Sequence, residues 1–368
     1  MMKVVDLDSH SEPRAQDYQI PPEYSHLRPR AFMDARGNRR LTFDNELLLL
    51  VHADDTGVAD KAGKQRWNAA RYDADVRYEL VKEMGVDIQY ISAGTVGDFN
   101  YADPGVGSAF WRSYNDFLHD RFVKAYPDTF IGVPQLPMQD IPLAIQELER
   151  CVKDLGMHTV VLPTNWNGID LADPYWWNFY DKVQELGITG ILIHVKSTSA
   201  HSHWVGKERL AVLGGDGTTG RRILSHPFEY STNIANMIFG GMMDSFPDFR
   251  FAFLEGGAEF AIVLKHRIEE NVGQLGYLRE KLAHPLEWYF DRLYFLVDDH
   301  LMAKNGRMLE YAIEELGADH LYIGSDLTHG DPQMETFNEV RELGNISDEV
   351  KEKILGGNAN TLMSGKLF

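Results

Sequence analysis

Cysteine, positive charge and long apolar runs are scarce in this chain of 368 residues. Cys151 is the single cysteine, which excludes an intramolecular disulfide and a zinc site built on paired thiolates. A metal ion would therefore need histidine and carboxylate ligands. No apolar run approaches the roughly 20 residues that a membrane span requires. Residues 1–10 also lack the basic and apolar regions of a secretory signal, so we expect a cytoplasmic protein.

Basic residues are outnumbered by acidic ones. The chain has 36 Lys and Arg against 55 Asp and Glu, which gives a formal net charge of −19 at pH 7. Nucleic acids and anionic membranes are bound through basic surfaces, so we expect neither as a partner. Hydrophobic residues make up 44% of the chain and charged residues 25%, as is typical of a globular protein with a sizeable core.

Short apolar runs recur, and each is followed by a polar or glycine-rich turn and then by helical periodicity. Predicted helices over Ile141–Leu155, 176–186 and 306–316 each end at a glycine, the usual helix stop. The eight predicted strands are 4–8, 87–93, 130–135, 158–162, 189–194, 250–255, 293–298 and 320–325.

Alternation of buried strands with helices predicts a parallel sheet, and eight such units predict a (β/α)₈ TIM barrel. A doubly wound open sheet is the alternative, disfavoured because no Gly-x-Gly-x-x-Gly turn follows a strand. The long gaps after strands 1 and 5 predict insertions of approximately 15–80 and 196–235, which would cover the C-terminal mouth as a lid. Within the first, segment 54–66 is too polar and glycine-rich to be core. A single domain, 1–368, is the economical interpretation.

Metal-capable side chains follow four of the predicted strands, at the ends where barrel enzymes carry their catalytic groups. Taken singly, each is explained as well by a helix cap or a hydrogen-bonded scaffold residue. Together they favour a metal site, because a charged group after an apolar run is costly unless it is paired or coordinated. They are Asp8 and His10 after strand 1, His194 after strand 5, Glu255 after strand 6 and Asp326 after strand 8.

This set and its surroundings resemble the amidohydrolase superfamily, in the family 2 branch related to aminocarboxymuconate-semialdehyde decarboxylase. The resemblance runs from strand 1 through HPFEYSTNIANMIFGGMMDSFPDFRFAFLEGGAEF to GSDLTHGD and the closing EKILGGNANTL. It implies metal ligands at His10, His194 and Asp326. Asp8 stands where the family usually has the first histidine of a His-x-His pair, and Glu255 where it usually has a histidine before the double glycine. The resemblance also implies a homodimer.

One divalent ion is expected, and the oxygen-rich ligand set suits Mn²⁺ or Fe²⁺ as well as Zn²⁺. Such an ion lowers the pKa of bound water to about 7 and polarises a substrate oxygen. The resemblance implies that Asp326 binds the metal weakly and transfers a proton. Three roles are open for Glu255: it would be a fifth ligand, a partner of a ligand histidine, or a general base.

Other residues are candidates for contact with a small organic substrate. His226, at the lip of the long fifth loop, would contact substrate or stabilise the transition state, or else be a loop residue bonded to backbone. Arg14 would suit a substrate carboxylate, or else pair with an acidic residue. The remaining substrate-binding candidates are Asn100, Trp166, His201 and His203.

We expect a hydrolase, in which metal-activated water attacks an amide, ester or thioester-like carbon. The alternative is non-oxidative decarboxylation of an aromatic or unsaturated acid, in which an acidic residue protonates the carbon that loses CO₂. Hydrolysis is favoured because decarboxylase branches mostly keep the histidine that Glu255 replaces, or a glutamate at the position of Asp8. A third hypothesis, a catalytically inactive binding barrel, predicts no bound metal.

Overall fold

Eight short parallel strands form the centre of the fold in a computed structural model, and all eight predicted strands are confirmed. The structure describes residues 3–28, 30–33, 39–43, 46–49, 61–94, 100, 102–166, 168–195, 224, 226–328 and 335–367. The barrel strands are β1 (Val5–Asp6, continued at His10–Ser11), β2 (Ile88–Ala93), β3 (Phe130–Gly132), β4 (Val160–Pro163), β5 (Gly190–His194), β6 (Arg250–Phe253), β7 (Leu293–Val297) and β8 (Leu321–Ile323).

The strands follow one another around the barrel in chain order. β1, β2 and β3 pair in parallel, as do β4 to β8. The first and last strands meet where Leu7 N donates to Ile323 O, and a parallel bridge joins Ser9 to Leu327. This is the predicted (β/α)₈ TIM barrel. Its seam brings the first and last barrel strands together, which places residues near 8 beside residues near 326.

Helices follow the strands along the chain. Helix 141–155 is confirmed to the residue, whereas helix 306–316 begins earlier, because Asp298 caps its true start by accepting a hydrogen bond from Leu301 N. The helices are α1 (Lys61–Ala70), α2 (Ala74–Glu83), α3 (Pro104–Leu118), α4 (Ile141–Leu155), α5 (Trp177–Glu185), α6 (His226–Phe239), α7 (Met242–Ser245), α8 (Glu259–Gln274), α9 (Gly276–Arg279), α10 (Leu286–Phe290), α11 (Asp299–Leu316), α12 (Thr336–Glu342), α13 (Asp348–Glu352) and α14 (Asn358–Leu362).

Apolar side chains pack on both faces of the barrel wall. On β5, Ile191 and Ile193 join the larger cluster shared with the helices, whereas Leu192 joins a second cluster. Leu362 of α14 belongs to that second cluster and lies against the start of β5. A Cβ added to Gly190 would lie 2.9 Å from Leu362 O. α14 therefore closes the end opposite the carboxyl ends of the strands, and chemistry is left to the other end.

Both predicted insertions end earlier than the sequence suggested. The first contains a three-stranded antiparallel sheet (Arg30–Met33, Arg39–Phe43 and Glu46–Leu49) and α1. The range predicted for the first insertion, 15–80, also includes most of α2. The range predicted for the second, 196–235, includes the start of α6. Both helices bury side chains at helical spacing, as barrel helices do. The single domain and the lid remain predictions. Among the described residues, no helix is long and apolar enough to cross a membrane.

Candidate metal centre

Side chains from the ends of β1, β5, β6 and β8 converge at the mouth of the barrel. His10 Nε2 lies 3.4 Å from Asp8 Oδ1, 3.2 Å from Asp326 Oδ1 and 3.8 Å from Glu255 Oε1. His194 Nε2 lies 3.3 Å from Glu255 Oε1. Donor atoms of Asp8, His10 and His194 lie within 4.8 Å of one another, as do those of His10, Glu255 and Asp326. The structure therefore brings together all five residues that the sequence suggested as metal ligands.

Backbone carbonyls fix the orientation of both histidines. His10 Nδ1 lies 3.1 Å from Ala93 O, and His194 Nδ1 lies 2.7 Å from Val195 O. A carbonyl only accepts hydrogen bonds, so each Nδ1 carries the proton and donates it. In the neutral imidazole, the Nε2 lone pair then faces the carboxylate group. This is the arrangement by which proteins present histidine to a metal ion.

Two of the carboxylates sit on backbone that ordinary residues avoid. Glu255 has φ 59° and Asp326 has φ 49°, both in the left-handed region. Each residue lies just beyond the end of a barrel strand. Neighbours hold these turns, since Asp326 N donates to Asp8 O at 2.8 Å and Tyr230 Oη donates to Leu254 O. Strain of this kind persists only where the surroundings enforce it, and it is concentrated at functional sites.

Asp8 provides the test of whether the site fits a cation. Its side chain is buried, and among the described residues neither carboxylate oxygen accepts a hydrogen bond. Burial raises its pKa well above the ordinary value, as do the nearby carboxylates of Asp326, Glu255 and Asp6, while His194 acts in the opposite direction. A divalent ion would satisfy these oxygens and offset the crowded negative charge. Two imidazole nitrogens with carboxylate oxygens suit Mn²⁺, Fe²⁺ or Zn²⁺, so the residues fit the expected metal.

Asp6 lies between Val5 and Leu7, which both belong to the second, inner apolar cluster, and both of its carboxylate oxygens are bonded to protein. Its Oδ1 accepts from Asp8 N at 3.2 Å and Ser325 N at 2.9 Å. Its Oδ2 accepts from Ser325 Oγ at 2.6 Å and Gln89 Nε2 at 2.7 Å. Burial raises the pKa of Asp6, and the hydrogen bonds from Ser325 and Gln89 partly oppose that change. Asp6 thus ties β1 to β8 beneath the five converging side chains.

Two of the substrate-contact candidates, His226 and Arg14, lie outside the group of five. His226 is the first residue of α6 and not part of the loop before it, and its side chain is buried. Arg14 pairs with Asp17, with Nε 2.8 Å from Oδ2, and its guanidinium lies over the ring of Tyr72. The structure therefore supports the alternative for Arg14, an ion pair with an acidic residue.

Asn100 and Trp166 do come together. Asn100 is buried, its Oδ1 accepts from Trp111 Nε1 at 2.7 Å and its backbone oxygen accepts from Trp166 Nε1 at 3.2 Å. Trp166 stacks on Tyr175 with ring centroids 5.9 Å apart. Asn100 follows β2 and Trp166 follows β4, so both lie on the side of the barrel where the strands end. His201 and His203 lie outside the described residues.

A second group of buried polar side chains was missed by sequence reasoning. Glu229 Oε2 accepts from Asn165 Nδ2 at 2.9 Å, and Asn233 Nδ2 donates to Thr164 O and to Asp170 Oδ2, each at 2.8 Å. Burial raises the pKa of Glu229. The available signal was the spacing of Glu229 and Asn233, one helical turn apart on the buried face of α6.

Known proteins resemble this chain in sequence, and two of them do so over 78% of its length. The Amidohydro_2 family, described as amidohydrolase, matches residues 108–363. A 2-amino-3-carboxymuconate-6-semialdehyde decarboxylase of Dictyostelium discoideum is 28% identical over 291 residues, 78% of this chain and 76% of the relative. A gamma-resorcylate decarboxylase of Polaromonas sp. is 25% identical over 313 residues, 78% of this chain and 86% of the relative. A 2-keto-4-carboxy-3-hexenedioate hydratase of Sphingobium sp. is 32% identical over 193 residues, about half of each chain.

Solved structures share the fold. A 5-carboxyvanillate decarboxylase from Sphingomonas paucimobilis superimposes with TM-score 0.73 at 20% identity, over 99% of both chains. A dihydroxybenzoic acid decarboxylase from Polaromonas sp., solved with bound manganese, has TM-score 0.66 at 19% identity, over 99% of this chain and 97% of the other. The sequence match, the barrel and the converging strand-end side chains together show that the chain belongs to amidohydrolase family 2 of the amidohydrolase superfamily.

Proposed function

We propose that the protein is a divalent-metal-dependent decarboxylase that removes CO₂, without oxidation, from a small aromatic or unsaturated carboxylic acid. The metal centre is supported by one observation: two imidazole Nε2 atoms and three carboxylates converge on one region of the barrel mouth. Two relatives that match over three quarters or more of their length are decarboxylases by name, which supports this reaction over the hydrolysis favoured by sequence alone.

Four residues would hold the ion: Asp8, His10, His194 and Asp326. When bound, a divalent ion orients an oxygen-bearing substrate and neutralises the charge around it. Without a cation, the carboxylates of Asp8, Glu255 and Asp326 would repel a substrate carboxylate at short range. The charge of the site therefore makes the binding of an acid depend on the metal.

Loss of CO₂ breaks a carbon–carbon bond and leaves the electron pair on the ring or alkene carbon. A proton must then reach that carbon, so that R–COO⁻ and H⁺ give R–H and CO₂. We assign its delivery to Asp326, whose carboxyl lies beside other carboxylates in a left-handed turn. Glu255 has the most exposed side chain of the five, 12%, and lies at the solvent side of the group. It would contact the incoming acid or return the proton to Asp326.

The aromatic side chains that follow β4 would suit a planar substrate. Trp166 and Tyr175 present a stacked aromatic pair, and Asn100 ties Trp166 to Trp111 behind it. Aromatic faces of this kind bind flat apolar ligands through a large contact area. His226, buried at the first turn of α6, is our candidate for contact with a polar substituent of the substrate.

Isotope labelling tests the reaction. Mn²⁺-loaded protein incubated with dihydroxybenzoates and unsaturated dicarboxylic acids in D₂O should release CO₂ and place one deuterium on the vacated carbon. Asp326→Asn should slow the reaction by about 10²-fold or more, the usual loss when a general acid is removed. Asp319→Asn is the matched control, because Asp319 is an exposed carboxylate paired with Lys353. Its rate should equal that of the parent protein.

Reactions of water remain the second candidate, and the related hydratase is the observation that favours them. The same panel separates them when it includes amides, esters and thioesters and is repeated in H₂¹⁸O. Entry of ¹⁸O into the product without release of CO₂ would replace decarboxylation by hydrolysis or hydration.

A further inference from the structure

Arg77, on α2, is fully buried against β2 and the end of β1. Its Nε donates to Gln89 Oε1 at 2.7 Å, and its Nη2 donates to Ser9 Oγ at 2.8 Å. Its Nη1 donates to two carbonyls, His10 O at 2.6 Å and Ala70 O at 3.1 Å. A buried guanidinium is costly unless its donors are satisfied, and here four of its five N–H groups are used. The side chain is therefore held in one position.

A chain of hydrogen bonds leads from Arg77 to the turns at the mouth. Gln89 accepts from Arg77 and donates to Asp6 Oδ2 at 2.7 Å. Asp6 in turn accepts from the backbone nitrogens of Asp8 and Ser325. The chain of bonds thus joins α2, β2, β1 and the turn after β8, which are far apart in sequence.

The guanidinium also brings a positive charge to an acidic region. Burial lowers the pKa of Arg77 to about 9, and attraction to Asp6 opposes that change, so the side chain is cationic at pH 7. Four carboxylates lie in this region: Asp6, Asp8, Glu255 and Asp326. Arg77 offsets part of the charge of Asp6, the one of the four to which it is linked by hydrogen bonds through Gln89.

We infer that Arg77, acting through Gln89 and Asp6, is a positioning residue that sets the geometry and affinity of the metal centre. The inference rests on the proposed metal centre. Arg77 bonds directly to the carbonyl of His10, and through Asp6 it reaches the backbone of Asp8 and of the residue before Asp326. It thereby fixes the end of β1 and the turn after β8, which carry three of the four proposed ligands. Lysine cannot replace it, because one ammonium cannot reach these acceptors in the same fixed arrangement.

The test measures Mn²⁺ binding and not activity. Arg77→Met, Arg77→Lys and Gln89→Met are compared with the parent protein by calorimetric titration of chelator-treated protein with Mn²⁺. Circular dichroism verifies folding, and the electron paramagnetic resonance spectrum of bound Mn²⁺ reports on its coordination. Arg150→Met is the matched control, because Arg150 forms a similar but only partly buried network with Asp116 and Glu147 between α3 and α4.

We expect all three variants to bind Mn²⁺ about 10- to 100-fold more weakly, as is usual when the supporting partner of a ligand is removed, and to broaden the Mn²⁺ spectrum. Arg150→Met should bind within twofold of the parent. Gln89→Met carries the test if the Arg77 variants do not fold, because it leaves the bonds of Arg77 to His10 and Ser9 in place. Parent-like affinity in Gln89→Met or in a folded Arg77 variant overturns the inference. A parent protein that binds no Mn²⁺ overturns the metal centre itself, and this inference with it.

Discussion

At the scale of single residues, buried carboxylates make the stability of this barrel depend on pH. Glu229 is a buried carboxylate that is not one of the proposed metal ligands. Burial raises its pKa above the ordinary value. The folded state then holds its proton more tightly than the unfolded chain, so this group's contribution to stability is full below the unfolded pKa and is lost as pH rises through the folded pKa.

Glu229→Gln should remove that pH dependence while retaining an acceptor for Asn165 Nδ2. We expect the variant to be about 1 kcal/mol more stable than the parent at pH 8, the penalty typical of a buried charged group that is only partly bonded, and to lose the advantage near pH 4. Urea unfolding at both values measures the difference, with the exposed Glu342→Gln as control. An equal effect at both pH values would show that ionisation of Glu229 is not the cause.

At the scale of strands and turns, the left-handed backbone at the end of β6 places Glu255 at the mouth but lowers the stability of the fold. Glu255→Gly removes the conformational strain, which costs about 1–2 kcal/mol for a residue with a side chain. We expect chelator-treated Glu255→Gly to unfold at higher urea and its decarboxylation rate to fall. Asn305→Gly is the control, because exposed Asn305 has a similar φ of 61°, and it should leave the rate unchanged. A less stable Glu255→Gly would mean that the turn is not strained.

At the closed end of the barrel, by contrast, we expect a substitution to destabilise the protein and to leave the metal centre intact. A Cβ at position 190 would lie 2.6 Å from Met363 Sδ and 2.9 Å from Leu362 O, and the backbone oxygen cannot move without shifting α14. Gly190→Ala should therefore cost about 1–3 kcal/mol of unfolding free energy, as overpacked cores do, with Mn²⁺ affinity kept. Urea unfolding and calorimetric titration of the same preparation separate the two effects, and unchanged stability would contradict the packing described for α14.

The sequence predicted local features and missed those that depend on residues distant in the chain. Strands carry a local signal in the spacing of apolar residues, so β1 to β8 could be identified. The five converging side chains could be identified because each is a histidine or carboxylate that follows an apolar run. They are Asp8, His10, His194, Glu255 and Asp326. The start of α6 could not, since His226 follows a long polar segment. Arg77 was missed because its role exists only through partners distant in the chain, such as His10 O, 67 positions away.

At the scale of the whole molecule, the net charge of −19 includes carboxylates gathered at the mouth, whose mutual repulsion a bound cation would relieve. An ion that binds only the folded state stabilises it by about 2.7 kcal/mol at a concentration 100 times its dissociation constant. We expect Mn²⁺ to raise the melting temperature of chelator-treated protein, and Ca²⁺, which prefers six to eight oxygen ligands, to raise it less. Differential scanning calorimetry checks this, and equal shifts with both ions would point to non-specific screening.

The most direct test of the account is the metal content of protein purified without chelators. Elemental analysis should find one divalent transition-metal ion per chain in the parent protein. In the double variant Asp8→Ala with His10→Ala it should find close to none, because two of the proposed ligands are lost. A parent protein without a stoichiometric ion would contradict the metal centre and leave the chain as a binding barrel without this chemistry.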